Sequence, residues 1–165
     1  MPIPGIEQPE YITVCDDIRL RKFDNNCNFA LEWYQDSETV MLVDGTPEPY
    51  DLEQLHKMYS VLNERGELYF IEILDGDTFV PIGDVTFSEK DMPIVIGDKS
   101  CRGKGIGKKV VTALVERGKQ LGFTSLEVNE IYKYNITSQK LFESVGFRKY
   151  EETDKGYRYK LNLAL

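Results

Sequence analysis

The sequence is poor in the residues that nucleophilic and metal-dependent active sites most often use. His56 is the only histidine in 165 residues, and nothing near it in the sequence supports a Ser-His-Asp or Cys-His site. The three cysteines, Cys15, Cys27 and Cys101, are odd in number and show no ligand spacing. The sequence therefore indicates neither disulfides nor a metal site.

Long apolar runs are also missing. No stretch approaches the roughly 18 apolar residues of a membrane span, and the first ten residues lack the basic and apolar regions of a signal peptide. We therefore expect a cytoplasmic protein without membrane association. The hydrophobic share of 41% is enough for a core, and no repeat or linker divides the chain, so residues 1–165 are predicted to form one domain.

The charge is unevenly distributed along the chain. Residues 99–121 carry seven basic side chains and one acidic one, so that segment has a charge of +6 while the remainder has −14. This division suggests an anionic ligand at one local site and a cationic partner elsewhere, although a solvated helix face in an acidic protein would give the same pattern. Nucleic acid is disfavoured, because the acidic remainder would repel phosphates.

Apolar periodicity predicts a mixed α/β chain with a strand, loop, helix and strand at its centre. The strand patterns cover 18–23, 68–74, 79–87, 92–96, 125–131, 147–151 and 157–163. The helix patterns cover 29–34, 52–62, 104–121 and 135–145, with glycine after three of them.

The central segment, residues 94–121, has a glycine-rich loop followed by a helix with a basic first turn. Such a helix N-terminus binds anions, because its first N–H groups lack partners and its dipole favours negative charge. The spacing excludes two glycine-rich templates. Gly103-x-Gly105-x-x reaches Lys108 rather than the third glycine of a dinucleotide fold, and Lys104 is followed by Gly105 rather than the Ser or Thr of a P-loop. A nucleotide-binding protein that uses this loop for ATP is an alternative.

Arg102, Gly105 and Gly107 do match the R/Q-x-x-G-x-G/A pyrophosphate loop of the GNAT acetyltransferases, and the segment resembles that family. A second block, residues 135–147 (NITSQKLFESVGF), resembles the family's N-x-x-(A/S)-x-x-hydrophobic-aromatic-E-x-x-G-F signature and follows at the correct distance. The two blocks in order make the resemblance specific from about Leu68 to the end. The aminoglycoside 6′-type and the ribosomal-protein N-terminal-type enzymes are the nearest subgroups.

The resemblance implies the GNAT fold. In that fold a central mixed sheet of about six or seven strands is flanked by about four helices, and a splayed parallel strand pair holds acetyl-CoA. Here the pair would be residues 92–97 and 125–131. Residues of about 68–165 would form the acetyl-CoA core, and about 1–66 would shape the acceptor site. The family residues carried over as cofactor contacts are Ile94, Val95, Ile96, Arg102, Gly103, Lys104, Gly105, Ile106, Gly107, Lys108, Asn135, Lys140 and Phe142.

The implied reaction is direct attack of an amine on the thioester, which requires a group to accept the amine's proton. Glu130 is the first candidate, Asp84 the second and Asp98 the third. Many family members protonate the departing thiolate with a tyrosine where this chain has Phe142. Ser138 is the candidate replacement, with Tyr132 and Tyr134 as alternatives.

The acceptor is less defined. Trp33, Tyr34 and Glu130 are predicted to contact it, although Trp33 and Tyr34 fit equally well as core aromatics. The acidic remainder of the chain favours a small cationic amine such as an aminoglycoside or polyamine. A basic protein N-terminus and a non-catalytic CoA-binding module are the alternatives, and both monomer and homodimer stay open.

Overall fold

A computed structural model describes residues 1–163 of the chain. The strands are β1 (Tyr11–Cys15), β2 (Ile18–Lys22), β3 (Glu67–Asp75), β4 (Thr78–Phe87), β5 (Ile94–Ile96), β6 (Ser125–Tyr132), β7 (Arg148–Glu152) and β8 (Gly156–Asn162). The α-helices are α1 (Leu31–Tyr34), α2 (Ser37–Asp44), α3 (Leu52–Arg65), α4 (Ile106–Gln120) and α5 (Ile136–Val145). Short 3-10 turns lie at Asn28–Ala30 and Lys99–Cys101.

The chain forms two compact units, each with its own sheet. Unit 1 comprises Met1–Thr86 and Ile94–Lys104 and holds a five-stranded sheet in the order β1-β2-β3-β4-β5. Unit 2 comprises Phe87–Pro93 and Gly105–Leu165, and within the described residues it holds a three-stranded sheet in the order β6-β8-β7. Strand β5 is thus an edge of the first sheet, and β6 is an edge of the second.

The core of unit 1 is aromatic. Phe23, Trp33, Tyr34, Tyr59 and Phe70 are all buried in one cluster. Phe23 lies 5.4 Å from Tyr59 and 5.8 Å from Phe70 between ring centroids, in tilted arrangements that suit aromatic quadrupoles. Helix α3 contributes to this cluster through its apolar stripe. It begins at a capping box in which Asp51 and Gln54 satisfy each other's backbone N–H groups.

In unit 2 the long helix α4 packs against its neighbours through two glycines. A Cβ on Gly107 of α4 would lie 3.2 Å from Leu141 of α5, and one on Gly118 would lie 3.3 Å from Leu126 of β6. Phe142 and Phe147 are buried in an edge-to-face pair with centroids 5.2 Å apart. Small residues at these points therefore let α4 approach its neighbours closely.

The mixed α/β architecture predicted from the sequence is confirmed, and each predicted strand and helix pattern corresponds to an element. Among residues 1–163, one strand and one α-helix were not predicted. Strand β1 lacks a clear apolar alternation, and the eight-residue α2 has too few turns to establish a period. Strand β5 is also shorter than the predicted 92–96, and its residues are half-buried rather than buried on both faces, because β5 lies at a sheet edge.

Among residues 1–163, no helix combines the length and apolar character that crossing a bilayer requires.

Candidate active site

The most unusual ionisable group in unit 1 is Asp84 on β4. Its side chain is buried, with 1% of the residue exposed. The phenolic hydroxyls of Tyr34 and Tyr59 donate hydrogen bonds of 2.7 and 2.8 Å to the same carboxylate oxygen, Oδ2. Two separate helices, α1 and α3, thus hold one carboxylate in a fixed position.

Burial raises the pKa of Asp84 to about 6, while the hydrogen bonds from Tyr34 and Tyr59 oppose part of that rise. Burial also raises the pKa of both tyrosines, so the phenols stay protonated and continue to donate. Asp84 is therefore a carboxylate at neutral pH with a proton affinity higher than that of a solvent-exposed acid. A general base near neutrality needs this property.

Strand β5 pairs with the part of β4 that carries Asp84. Asp84 is the antiparallel cross-strand partner of Val95, and Gly83 is the partner of Ile96. A Cβ on Gly83 would lie 2.1 Å from the carbonyl oxygen of Val95, so only glycine allows this approach of the two backbones. Ile94, Val95 and Ile96, predicted to run beside the pantetheine arm, are the three residues of β5.

Trp33 and Tyr34 are both in the core of unit 1. A Cβ on Gly97, the residue after β5, would lie 2.2 Å from Cγ of Trp33, so the indole packs directly on the backbone there. Tyr34 also stacks on Tyr50 with ring centroids 5.2 Å apart. The buried positions of Trp33 and Tyr34 agree with the alternative that both are core aromatics. Contact with the acceptor stays a prediction for both residues.

Arg102, predicted to bind phosphate, already has two partners in unit 1. Its Nε donates to the carbonyl oxygen of Ile96 at 2.8 Å, and its Nη2 donates to Oγ1 of Thr39 at 2.8 Å. Thr39 lies in the first turn of α2 and itself donates to Asp36, the N-cap residue. The guanidinium therefore joins the end of β5 to the start of α2.

A second contact supports the same junction. Lys99 Nζ lies 2.8 Å from Asp36 Oδ1 and 3.4 Å from Glu38 Oε2. The hydrogen bond from Lys99, together with those from Thr39, lowers the pKa of Asp36 to about 2. Asp98, the third base candidate, caps the 3-10 turn by accepting from the backbone and hydroxyl of Ser100, which lowers its pKa. Asp98 is therefore used structurally.

The glycine-rich loop is open at the places where a phosphate would have to approach. Gly103 and Gly105 have φ of 74° and 79°, in the left-handed region, and a Cβ on either would meet no atom within 4 Å. Gly105 is the N-cap of α4, no side chain caps its free N–H groups, and the first turn holds no acid. The side chains of Lys104 and Lys108 are exposed, while that of Ile106 is buried. The start of α4 therefore keeps donors and positive charge available to an anion.

The predicted residues of α5 differ in their surroundings within unit 2. Asn135 is the N-cap, and its Oδ1 accepts from the backbone N–H of Ser138 at 3.1 Å. Ser138 is half-buried, Lys140 is exposed, and Phe142 is buried against Phe147. Tyr132 and Tyr134, the alternative acids, stack on one another with centroids 5.4 Å apart.

Glu130 lies in a β-bulge of unit 2. The register between β6 and β8 shifts between Val128 and Ile131, so β6 has one additional residue there. The side chain of Glu130 is exposed, and its carboxylate accepts a hydrogen bond from the hydroxyl of Thr153. It is thus solvated and anchored, unlike the buried Asp84.

Sequence reasoning missed the residues that support the site rather than form it: Tyr59, Thr39 and Asp36. Tyr59 lies 25 positions from Asp84, and Thr39 lies 63 positions from Arg102. No local motif signals such pairs. The one sequence signal nearby was the apolar periodicity of residues 52–62, and Tyr59 is one of the buried residues of that helix. Within residues 1–163, no cluster of three His, Cys, Asp or Glu side chains could hold a metal ion.

Comparison with known proteins identifies the class. The Acetyltransferase (GNAT) domain family matches residues 17–148 of the chain. This protein belongs to the GNAT acetyltransferase family.

One curated relative is an uncharacterized protein of Methanocaldococcus jannaschii, 28% identical over 149 residues. That match covers 85% of this chain and 30% of the relative, so the chain spans about a third of that protein's length. A solved domain from Methanocaldococcus jannaschii has a TM-score of 0.77 and 25% identity, covering 88% of this chain and 98% of that one.

Two further solved structures have the same fold. The aminoglycoside acetyltransferase AAC(6′)-Ib in complex with coenzyme A has a TM-score of 0.70 at 21% identity, covering 88% of this chain and 95% of that chain. The ribosomal L7/L12 α-N-protein acetyltransferase RimL in complex with coenzyme A has a TM-score of 0.70 at 16% identity, covering 93% and 98%. Both subgroups that the sequence resembles are therefore represented among its structural neighbours.

Proposed function

We propose that this protein transfers the acetyl group of acetyl-CoA to a primary amine, with a small cationic amine as the acceptor. The observation that carries the proposal is Asp84, a buried carboxylate that two phenols fix on the strand that pairs with β5. A proton acceptor of this kind is what an amine that arrives as an ammonium requires.

The start of α4 would hold the pyrophosphate of acetyl-CoA. Its uncapped N–H groups, the open glycines Gly103 and Gly105 and the exposed Lys104 and Lys108 fit a dianionic group. Arg102 would act differently from the simple phosphate contact expected from the sequence, because its hydrogen bonds to Ile96 and Thr39 fix the loop's entry. The neighbours AAC(6′)-Ib and RimL, which were solved with coenzyme A, support the choice of cofactor.

In the proposed reaction, Asp84 takes one proton from the acceptor's ammonium, directly or through a water. The neutral amine nitrogen attacks the thioester carbonyl, the new C–N bond forms, and the C–S bond breaks. The second proton that the nitrogen loses on becoming an amide passes to the departing CoA thiolate, so that CoA leaves as the thiol. A lysine-like amine has a pKa near 10.4, well above the pKa of about 6 for Asp84. We therefore expect the proton to pass to Asp84 as the nitrogen attacks the thioester. Asp84 replaces Glu130 as the first candidate, because Glu130 is exposed in its bulge.

The departing thiolate needs little assistance. Phe142 stands where many relatives carry a tyrosine, and it is buried against Phe147. A thiol of pKa near 8.5 is an adequate leaving group without an acid, so protonation can follow departure. Ser138, half-buried in the first turn of α5, stays the proposed donor if one is used.

The charge distribution supports a cationic acceptor. Outside residues 99–121 the chain has a charge of −14, which attracts polyamines and aminoglycosides and would exclude acidic acceptors. The name of the neighbour AAC(6′)-Ib fits this class, and that of RimL gives a protein N-terminus as the second candidate.

The test is acetylation of an amine panel with acetyl-CoA as donor, with the products identified by mass spectrometry. The panel should contain spermidine, an aminoglycoside, a basic peptide with a free N-terminus and the same peptide with a blocked N-terminus. Acetylated spermidine or aminoglycoside is the expected product. Acetylation of the free peptide alone would assign the second candidate, and binding of CoA with no acetylated product would show a CoA-binding module.

A further inference from the structure

The buried face of α5 carries a polar residue, Gln139. Gln139 is 7% exposed, and the other buried residue of the helix is Phe142. Packing alone would favour an aliphatic side chain at this position, because a buried amide costs free energy unless its polar atoms are paired. The reason for a glutamine therefore lies in what its amide binds.

The amide nitrogen of Gln139 joins α5 to the end of β6. Its Nε2 donates to the carbonyl oxygen of Tyr132 at 3.1 Å and to that of Lys133 at 3.0 Å. Tyr132 is the last residue of β6, and Lys133 follows it. An amide nitrogen has two N–H donors, so one side chain holds two successive carbonyls where the chain leaves the strand and turns towards the helix.

The carbonyl of Tyr132 also binds the N-cap residue of α5. The backbone N–H of Asn135 donates to that oxygen at 2.9 Å. The side chain of Asn135 in turn accepts from the backbone N–H of Ser138 at 3.1 Å. A continuous set of hydrogen bonds therefore connects the end of β6 with the first turn of α5. That turn cannot rotate or slide along the strand end without breaking one of these bonds.

We propose that Gln139 is a positioning residue for the acetyl-transfer site. It holds Asn135, the predicted pantetheine contact, and Ser138, the proposed thiolate donor, at a fixed place relative to β6. This role rests on the proposed function, and Gln139 acts through the other two residues rather than on the cofactor. Groups that bind or react must be held within about 0.5 Å of their working positions, so loss of such support weakens binding although no binding group is removed.

The test is the affinity of Gln139→Met for CoA, measured by titration calorimetry. Methionine is close to glutamine in length and volume but donates no hydrogen bond, so it fills the site and releases the two carbonyls. CoA binding should weaken by roughly fivefold or more. Gln139→Glu, which places carboxylate oxygens against the same carbonyls, should weaken it at least as much. If circular dichroism shows that only one variant folds, that variant decides the test.

A control variant lies in the same helix. The exposed hydroxyl of Ser144 donates to the carbonyl oxygen of Leu141, within α5. Ser144→Ala therefore removes a side-chain hydrogen bond of α5 without releasing the end of β6. Its affinity for CoA should stay within about twofold of the wild type.

Hydrogen exchange separates positioning from a general loss of stability. In Gln139→Met the backbone amides of Asn135 and Ser138 should exchange faster than in the wild type, while those of β8 keep the wild-type rate. Unchanged CoA affinity in a folded variant would overturn the proposal, and so would faster exchange throughout unit 2. A wild-type protein that binds CoA but acetylates no amine would contradict the proposed function alone, because CoA binding still tests Gln139. A wild-type protein that binds no CoA would contradict both.

Discussion

The hydroxyl of Tyr59 donates a 2.8 Å hydrogen bond to Oδ2 of Asp84, and the two groups come from α3 and β4. This contact stabilises the charged form of a carboxylate that burial would otherwise keep protonated to a higher pH. The contact thus links α3 to the proposed general base. The sequence predicted α3 only as an amphipathic helix.

Removing that hydroxyl should shift the pH dependence of the reaction. In the wild type, kcat/KM should rise with pH through an apparent pKa near 6, because Asp84 must be deprotonated to act. Tyr59→Phe removes a hydrogen-bond donor to the carboxylate, which should raise the pKa of Asp84. This acidic limb of the pH profile should therefore move to higher pH by about one unit. Tyr34→Phe should act in the same direction. As a matched control, Tyr11→Phe changes an exposed phenol on β1 and should leave the limb in place. If neither Tyr59→Phe nor Tyr34→Phe shifts this limb, Asp84 is not the catalytic base.

Asp84 should also make stability depend on pH. Its folded pKa of about 6 lies above the ordinary value of 3.8, so the folded state holds the proton more tightly. The free energy of unfolding should therefore fall as the pH rises from about 4 to about 6, and stay level above that range. Relative to Asp84→Asn, which cannot ionise, the wild type should lose up to about 3 kcal/mol across this window. Urea unfolding of both proteins at several pH values measures the difference, and parallel curves would contradict the assignment.

Gly97→Ala should destabilise unit 1 through a steric clash. The added Cβ would lie 2.2 Å from Cγ of the buried Trp33, and the expected loss is about 1–3 kcal/mol in the free energy of unfolding. Trp33→Leu makes room at the same place, so the double variant should lose less than the sum of the two single losses. Additive losses in a double-mutant cycle would mean that the indole is not what excludes a side chain at position 97.

Charge reversal at the start of α4 should weaken acetyl-CoA binding. The variant Lys104→Glu/Lys108→Glu should raise the KM for acetyl-CoA tenfold or more, roughly 1.4 kcal/mol, with a smaller effect on the KM of the amine. Lys119→Glu changes an exposed lysine in the last turn of the same helix and serves as the control. Arg102 is a poor choice for this test because its replacement also breaks the contacts with Ile96 and Thr39. An unchanged KM for acetyl-CoA would mean that the loop has only a structural role.

Local periodicity predicted most elements of the fold, because burial on one side imposes a repeat of 2 or 3.6 residues on the sequence. It failed for β1, whose sequence YITVC shows no clear apolar alternation, and for the short α2. The strand lengths were also imprecise. Met92 and Pro93 continue the apolar run before β5 but form no part of its ladder.

The loop and the second block were visible in the sequence, because each contains glycine at a fixed position where the backbone has a positive φ: Gly103 and Gly105 in the loop and Gly146 after α5. The support of Asp84 was not visible, since Tyr34 and Tyr59 reach it only through tertiary packing. The same reason explains Arg102. Its charge and position suggested a ligand contact, whereas its partners Ile96 and Thr39 come together only in the folded chain.

The most direct test is the rate of acetyl transfer by Asp84→Asn, measured with the best amine of the panel beside the binding of CoA. We expect kcat/KM for the amine to fall by about a hundredfold or more while the affinity for CoA stays within about twofold of the wild type. A variant that keeps the full wild-type rate would contradict Asp84 as the base. A wild-type protein that acetylates no amine would contradict the proposed function itself.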